Sequence, residues 1–401
     1  MKKMRILLCS PYDLESQNEN GVNKINYNVL HNLAGLCDIK VLQPSSRFST
    51  TLTSLGVAIE SLDFKVRSAS KVTFLSSTFS LFSHSEYIFK PYSKKLAEYI
   101  NTNHIDFDCI HLSSYLLSSA LPLLSESALE KIKFFPIDSK ILVEQTRVKQ
   151  GSFLLKPYRE FLCLKAKLLT KYIYAKAEWI CFVSKVDVDV SLRYLQNSNV
   201  HYIPNGVEIV DVEINTRKTP WVHGLTLCFH GDLTFGPNVV AVNNILNLIP
   251  CLEERLEFPF KVKLIGKGSE GFSDFSENIV GLGFVEDLYR ELNDCDLYLS
   301  LIETGAGIKN KLLDAMAVGL PIIATQESVS GIEYAVKRHN YMPLLTVRPQ
   351  DVVDAINELG ANIELLHTLS KNSINTVREN YDWLKLSKSY LKFYRGDNLD
   401  G

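Results

Sequence analysis

The 401-residue chain is long enough for two compact domains, and its 46% hydrophobic and 22% charged content is that of a globular protein. A net charge of −2 argues against a general nucleic-acid binder. The eight cysteines show no C-x-x-C spacing and sit mostly in apolar runs such as ILLCSP and WICFVS, which reads as buried reduced thiols, not a disulfide frame or a zinc site.

From the start, MKKMRILLCSP carries positive charge, but its apolar run is shorter than an export signal requires and fits a first buried strand, RILLC. No run of about 18 apolar residues occurs, so no bilayer span is expected. The expected location is the cytoplasm, with peripheral attachment to the inner face of the plasma membrane as an option. Further strands are predicted at CDIKVLQ, FDCIHLS, IKFFPID, WICFVS and VHYIPN. The apolar and aromatic stretch from Val72 to Lys95 reads either as core helix or as part of a lipid-facing surface. Between Lys140 and Lys176, nine lysines and arginines stand against Glu144 and Glu160, a local net charge of +7 with Leu, Phe and Tyr interleaved. Two readings stand here: a solvated helix face, or a surface for anionic lipid headgroups or a lipid-diphosphate acceptor.

The segment NGVEIVDVEINTRKTPWVHG has turn and polar residues and no helical period, and is expected to be a linker. Near Leu225 the strand–helix alternation restarts, with strands at LTLCFHG, FKVKLIG, IVGLGFV, DLYLSLI and LPIIATQ. Runs apolar throughout are what a parallel sheet covered on both faces requires, so the fold class is α/β with two doubly wound, Rossmann-like domains. Ligands in such sheets bind beyond the carboxyl ends of the strands, so a cleft between the two domains is expected. The last segment, YDWLKLSKSYLKFYRG, has a helical stripe of Trp383, Leu384, Leu386, Tyr390, Leu391 and Tyr394. Taken alone, it is a final helix packing on its own domain.

The chemistry concentrates in ETGAGIKNKLLDAMAVGLPIIAT, Glu303 to Thr325. A helix is predicted from about Ile308. Its free N–H groups and positive dipole end favour an anion, and Gly305 and Gly307 allow close backbone approach. Lys309 and Lys311 are misplaced on dipole grounds, a conflict that a bound phosphate resolves. Asp314 lies seven residues after Gly307, roughly 10 Å along a helix axis, a reach that suits diphosphate at the start and ribose hydroxyls at the carboxylate. The competing reading is a Gly-rich turn, two surface lysines and an exposed Asp.

GIKNKLLDAMAVGLPIIAT resembles the signature of retaining GT-B glycosyltransferases of the family 4 type, and most of all the bacterial exopolysaccharide and exosortase-associated sugar transferases. FHGDLTFGPN, KLIGKG, GLGFVEDL, CFVSKVDVD and YIPNGVE agree in order and spacing, so the resemblance covers most of the chain and is weak in the first 130 residues. It implies a GT-B architecture: an acceptor domain at 1–205, a donor domain at 206–378, and a segment at 379–401 whose helix returns to the first domain. It implies a UDP- or GDP-sugar donor, a glycan or lipid-linked acceptor, retention at the anomeric carbon and no obligatory metal. Polysaccharide synthesis in bacteria is the implied setting. In the donor site, Asp314 would hold the ribose; Gly307 and Ile308 would give the backbone donors to the diphosphate, with Gly305 and Ala306 next to them in the donor-binding segment; and Gly283, Phe284 and Val285 would line the base. Gly231, Gly266 and Lys267 would form the glycine turns, Gly21 (with Lys24 nearby) the first-domain loop. Ala306 stands where the family has its first Glu, and Glu303 is the nearby substitute; Asp232 stands where a basic pair is usual. That leaves Lys309 and Lys311 to neutralise the leaving group, and makes Asp138, or alternatively His111, the counterpart of the family's first-domain His. A non-catalytic GT-B scaffold, and a nucleotide-sugar isomerase or hydrolase, are the alternative readings.

Overall fold

The structure is a computed structural model that describes residues 3–15, 20–64, 80–150, 153–196, 199–211, 221, 224–303, 307–397 and 399. The chain divides into two compact units, one formed by Met1–Asn205 with Trp383–Gly401, the other by Gly206–Asp382.

The first unit holds a seven-stranded sheet in the order β3-β2-β1-β4-β5-β6-β7. Its strands are β1 Met4–Cys9, β2 Cys37–Gln43, β3 Ala58–Ser61, β4 Cys109–Ser113, β5 Ile132–Ile137, β6 Trp179–Phe182 and β7 Asn199–Tyr202. Every pairing is parallel. The central strands are buried along nearly their whole length, as the uninterrupted apolar runs require. Residues of the Val72–Lys95 stretch that are described contribute to this core: Phe89 and Tyr92, on the His84–Asn103 helix, are buried with Leu96 and Ile100. Residues 65–79 lie outside the described set.

The helix Trp383–Arg395 completes this unit. Trp383, Leu386, Tyr390, Phe393 and Tyr394 recur at helical spacing and are buried, whereas Leu384, expected on the same stripe, is 60% exposed. Tyr390 stacks on Phe135 at 5.5 Å, and Phe393 meets the edge of Trp179 at 5.5 Å.

The second unit has a six-stranded parallel sheet in the order β10-β9-β8-β11-β12-β13. Its strands are β8 Leu225–His230, β9 Phe260–Ile265, β10 Ile279–Gly281, β11 Leu297–Ser300, β12 Ile322–Thr325 and β13 Met342–Leu344. Strand order reverses between β8 and β11, the place where an open α/β sheet leaves a crevice at its carboxyl edge. All eight cysteines are free, and seven are buried.

Candidate functional site

At the carboxyl edge of the second sheet, three glycine turns follow β8, β9 and β10. Gly231 has φ +140°, Gly266 +115° and Gly283 +68°. They are tied in sequence across the edge: the Gly231 N–H donates to the Ile265 carbonyl at 2.9 Å and the Gly266 N–H to the Gly283 carbonyl at 2.7 Å. A Cβ on Gly266 would lie 2.2 Å from the Gly231 carbonyl oxygen, and one on Gly283 2.8 Å from Glu270 Oε1. Gly266 needs glycine both for its backbone conformation and for space, whereas at Gly283 the positive φ is the reason and the Glu270 side chain can swing aside.

Across the reversal point, β11 leads to the helix Asn310–Ala317, which brings its first turn to the same edge. The helix starts two residues later than the Ile308 expected from sequence, with Lys309 at the N-cap. Asp314 is therefore only about one turn inside it, about 6 Å along the axis from Asn310, and the 10 Å counted from Gly307 does not apply because the chain before Asn310 is not helical. Gly307, with φ +70°, closes the preceding loop, and Lys309 Nζ bends back to its carbonyl at 2.8 Å.

Lys311 and Asp314 are not the exposed residues of the bland reading. Asp314 is 5% exposed. Its Oδ1 accepts from the Tyr289 hydroxyl at 3.2 Å, and its Oδ2 lies 3.5 Å from His230 Nε2. His230 Nδ1 in turn is 3.1 Å from the Tyr298 hydroxyl. Burial, and next the Asp314 charge, holds the Tyr289 hydroxyl above the ordinary phenol range, so it stays a neutral donor. Lys311 Nζ donates to Asn238 Oδ1 and sits 5.4 Å above the Phe229 ring. Asn238 is itself fixed by a 2.7 Å donation to the Asp232 carbonyl. Burial pulls the Lys311 ammonium down to about 8, with the Lys309 charge acting in the same direction and Asp314 against it.

The structure thus gathers Gly231, Gly266, Gly283, Lys311 and Asp314 at one edge. A Cβ on Gly231 would already touch Lys311 Cε at 3.4 Å. Ile308 is buried beside Gly307; Lys267 and Phe284 are exposed, and Val285 is half-buried. Glu303 is exposed and accepts from Asn244 at 3.1 Å. Gly305 and Ala306 lie outside the described residues. Sequence reasoning quoted FHGDLTFGPN without giving its His230 or Asn238 a role, and missed Tyr289 and Tyr298.

The remaining candidates belong to the first unit. His111 is 1% exposed, stacked on Phe135 at 3.9 Å, with Nδ1 2.6 Å from the Tyr394 hydroxyl. Burial lowers its pKa to about 3, so it is a neutral core residue joining β4 to the final helix, and that placement corrects the catalytic reading of His111. Asp138 is half-buried and follows Ile137, a β-branched residue at φ +77° where β5 and β6 shift register. Gly21 opens the Gly21–Leu33 helix, capped by the Asn20 side chain, and nothing within 4 Å requires a glycine there.

An edge with a half-buried lysine, a fixed carboxylate and close-packed glycine turns can hold a phosphate-bearing nucleotide. Comparison with known proteins agrees with this. Residues 224–362 match the family model of glycosyl transferases group 1. An uncharacterized glycosyltransferase, MJ1069 of Methanocaldococcus jannaschii, is 24% identical over 314 residues, covering 74% of this chain and 77% of that one. Among solved structures, Anabaena Alr3699/HepE in complex with UDP is 13% identical with a TM-score of 0.64, covering 98% of this chain and all (100%) of that chain. The same protein is matched in complex with UDP-glucose. WaaG, a glycosyltransferase involved in lipopolysaccharide biosynthesis, is 12% identical with a TM-score of 0.66, covering 98% and 100%. The fold is the GT-B architecture of two Rossmann-like units.

Proposed function

We propose that this chain is a retaining glycosyltransferase that moves a sugar from a nucleotide-sugar donor to a glycan or lipid-linked acceptor in bacterial surface polysaccharide synthesis. The observation that carries the reading is the joint placement of Lys311 and Asp314 at the reversal point of the second sheet, within the segment that matches group 1 glycosyl transferases. That HepE takes UDP and UDP-glucose on the same fold favours a uridine donor.

In this mechanism Asp314 accepts from the ribose hydroxyls while Tyr289 and His230 fix its orientation. Lys311, held by Asn238, and Lys309 face the diphosphate and stabilise the charge that develops as it leaves. The acceptor hydroxyl attacks from the face the diphosphate vacates, and an oxygen of the departing phosphate takes its proton. No obligatory metal is needed, so EDTA leaves turnover unchanged.

The test is calorimetry with UDP and GDP followed by turnover with a panel of nucleotide sugars. Lys311→Ala and Asp314→Ala should each lower turnover about 10²-fold. Near-normal rates in both variants would sink the assignment. No nucleotide binding at millimolar concentration would favour a scaffold role, and donor breakdown without acceptor a hydrolase.

A further inference from the structure

The basic segment of the first unit is not one solvated face, because Lys140 and Lys165 are buried. With Glu144 and Arg147 they line a pocket of about 80 Å³, room for about six waters, whose wall includes the exposed rings of Tyr158 and Phe161. Lys140 opens the Lys140–Gln150 helix just after β5. Ser83, also on the wall, precedes the His84–Asn103 helix that runs back toward β4. The pocket therefore lies toward the carboxyl edge of the sheet, where open α/β sheets take their ligands.

Two strained residues shape it. Ser114, just past β4, has φ +74°, and Ile137, the last residue of β5, has φ +77°, a left-handed conformation that non-glycine residues adopt at a cost. Tyr115 and Ser118 follow the first and Lys140 follows the second. Lys140 Nζ lies 4.6 Å from the centre of the Tyr115 ring, and the Ser118 hydroxyl donates to Glu86 at 3.2 Å. The buried Asp187 carboxylate pins the second turn by accepting from the Ser139 N–H at 2.7 Å. The strain thus brings charged groups together that an apolar core would exclude.

Those charges do not cancel. Lys140 and Arg147 both reach Glu144 Oε1, at 3.4 and 2.9 Å, and Lys165 donates to the Phe82 carbonyl at 3.1 Å. Glu86, fully buried, acts on both lysines; burial pushes its carboxyl up while Lys140 opposes this. The five groups carry a net +1 with Glu86 ionised and +2 with it protonated. Of the three cations only Arg147 has an exposed side chain, at 58%. Its Nη1 holds Glu144, which leaves the outer part of its planar fork for one further carboxylate.

We infer that this pocket holds a sugar acid, the carboxylate of a hexuronate-type residue pairing with Arg147 and its pyranose ring lying against Tyr158 and Phe161. The inference rests on the glycosyltransferase reading and names its acceptor as a glycan that bears an acidic sugar. A neutral sugar leaves the surplus charge unanswered, and inorganic phosphate has no face to set against the rings.

The test is calorimetry on the full chain with glucuronate and galacturonate against glucose, galactose and inorganic phosphate, each with and without UDP. At least one of the acids should bind about tenfold tighter than its neutral counterpart and than phosphate. Arg147→Gln should abolish that preference and Tyr158→Ala should weaken acid binding several-fold, with UDP affinity unchanged in both. Equal affinity for acid and neutral sugar, phosphate binding as tight as the acid, no acid binding at tens of millimolar, or an undiminished preference in Arg147→Gln overturns the inference. Binding is read without turnover, so the two readings fail separately: absence of UDP binding sinks the transferase assignment, and absence of acid binding sinks this one alone.

Discussion

Lys311 is a half-buried cation whose ammonium, among the described residues, donates to the neutral Asn238 side chain. Its ammonium titrates near 8, below the lysine range, because burial disfavours the charge. Under the proposed mechanism, nucleoside diphosphate affinity should fall as pH rises through about 8, and binding should take up protons there; calorimetry in buffers of different ionisation enthalpy measures both. The stability linkage has the opposite sense. Between about 8 and the ordinary lysine value of about 10.4 the unfolded chain holds more protons than the folded one, so this group's contribution to stability improves as pH rises across that window. His111 makes a different prediction. His111→Ala removes a stacked ring and leaves the Tyr394 hydroxyl buried without its partner, so it should cost about 2–4 kcal/mol in denaturant unfolding. Nucleotide affinity should not change, because the ring packs inside the first unit. At this scale the sequence could single out Lys311 and Asp314 because they lie three residues apart in one motif. It could not locate His230 or Tyr289, which reach Asp314 only through strand pairing and a separate helix.

At the scale of elements, the strands that could be read carried an apolar or β-branched run, from the fully buried β4 to the half-buried β7. β3 did not: AIES is exposed or half-buried throughout and carries no apolar run. β13 was missed too, being three residues long with a proline at its centre and sitting at the sheet edge. The start of the Asn310–Ala317 helix was misplaced because Ile308 is apolar and buried, and so mimics a helical core position, while Lys309 keeps non-helical backbone angles. The glycine turns make the element-level prediction. Gly266→Ala forces a Cβ against the Gly231 carbonyl and strains a left-handed residue, so it should destabilise the second unit by more than about 1 kcal/mol. Thermal unfolding of the full chain would measure this. Gly21→Ala meets nothing within 4 Å and should leave the melting temperature within about a degree or two.

At the scale of the whole molecule, the first unit is discontinuous. Its last helix supplies Tyr390, Phe393 and Tyr394 to a core built from β4, β5 and β6, and it arrives only after the entire second unit. Truncation after Asp382 should therefore expose Phe135 and Trp179, lower the first unit's unfolding temperature and leave the second unit's transition in place, as calorimetric scans of full and shortened chains would resolve. The two chain crossings are clasped together on the second unit: Val207 pairs with Asp382, and its N–H donates to the Tyr381 carbonyl at 2.8 Å.

That arrangement imposes an order in time. On the ribosome, the first unit's sheet cannot finish covering β5 until the Trp383–Arg395 helix, made after the second unit, has emerged, so the nascent first unit spends the whole synthesis of Gly206–Asp382 with an apolar flank uncovered. The second unit, contiguous in sequence, faces no such wait. A chain stalled before Trp383 should present a finished second unit and an unfinished first unit, whose uncovered apolar flank is the kind of surface chaperones bind.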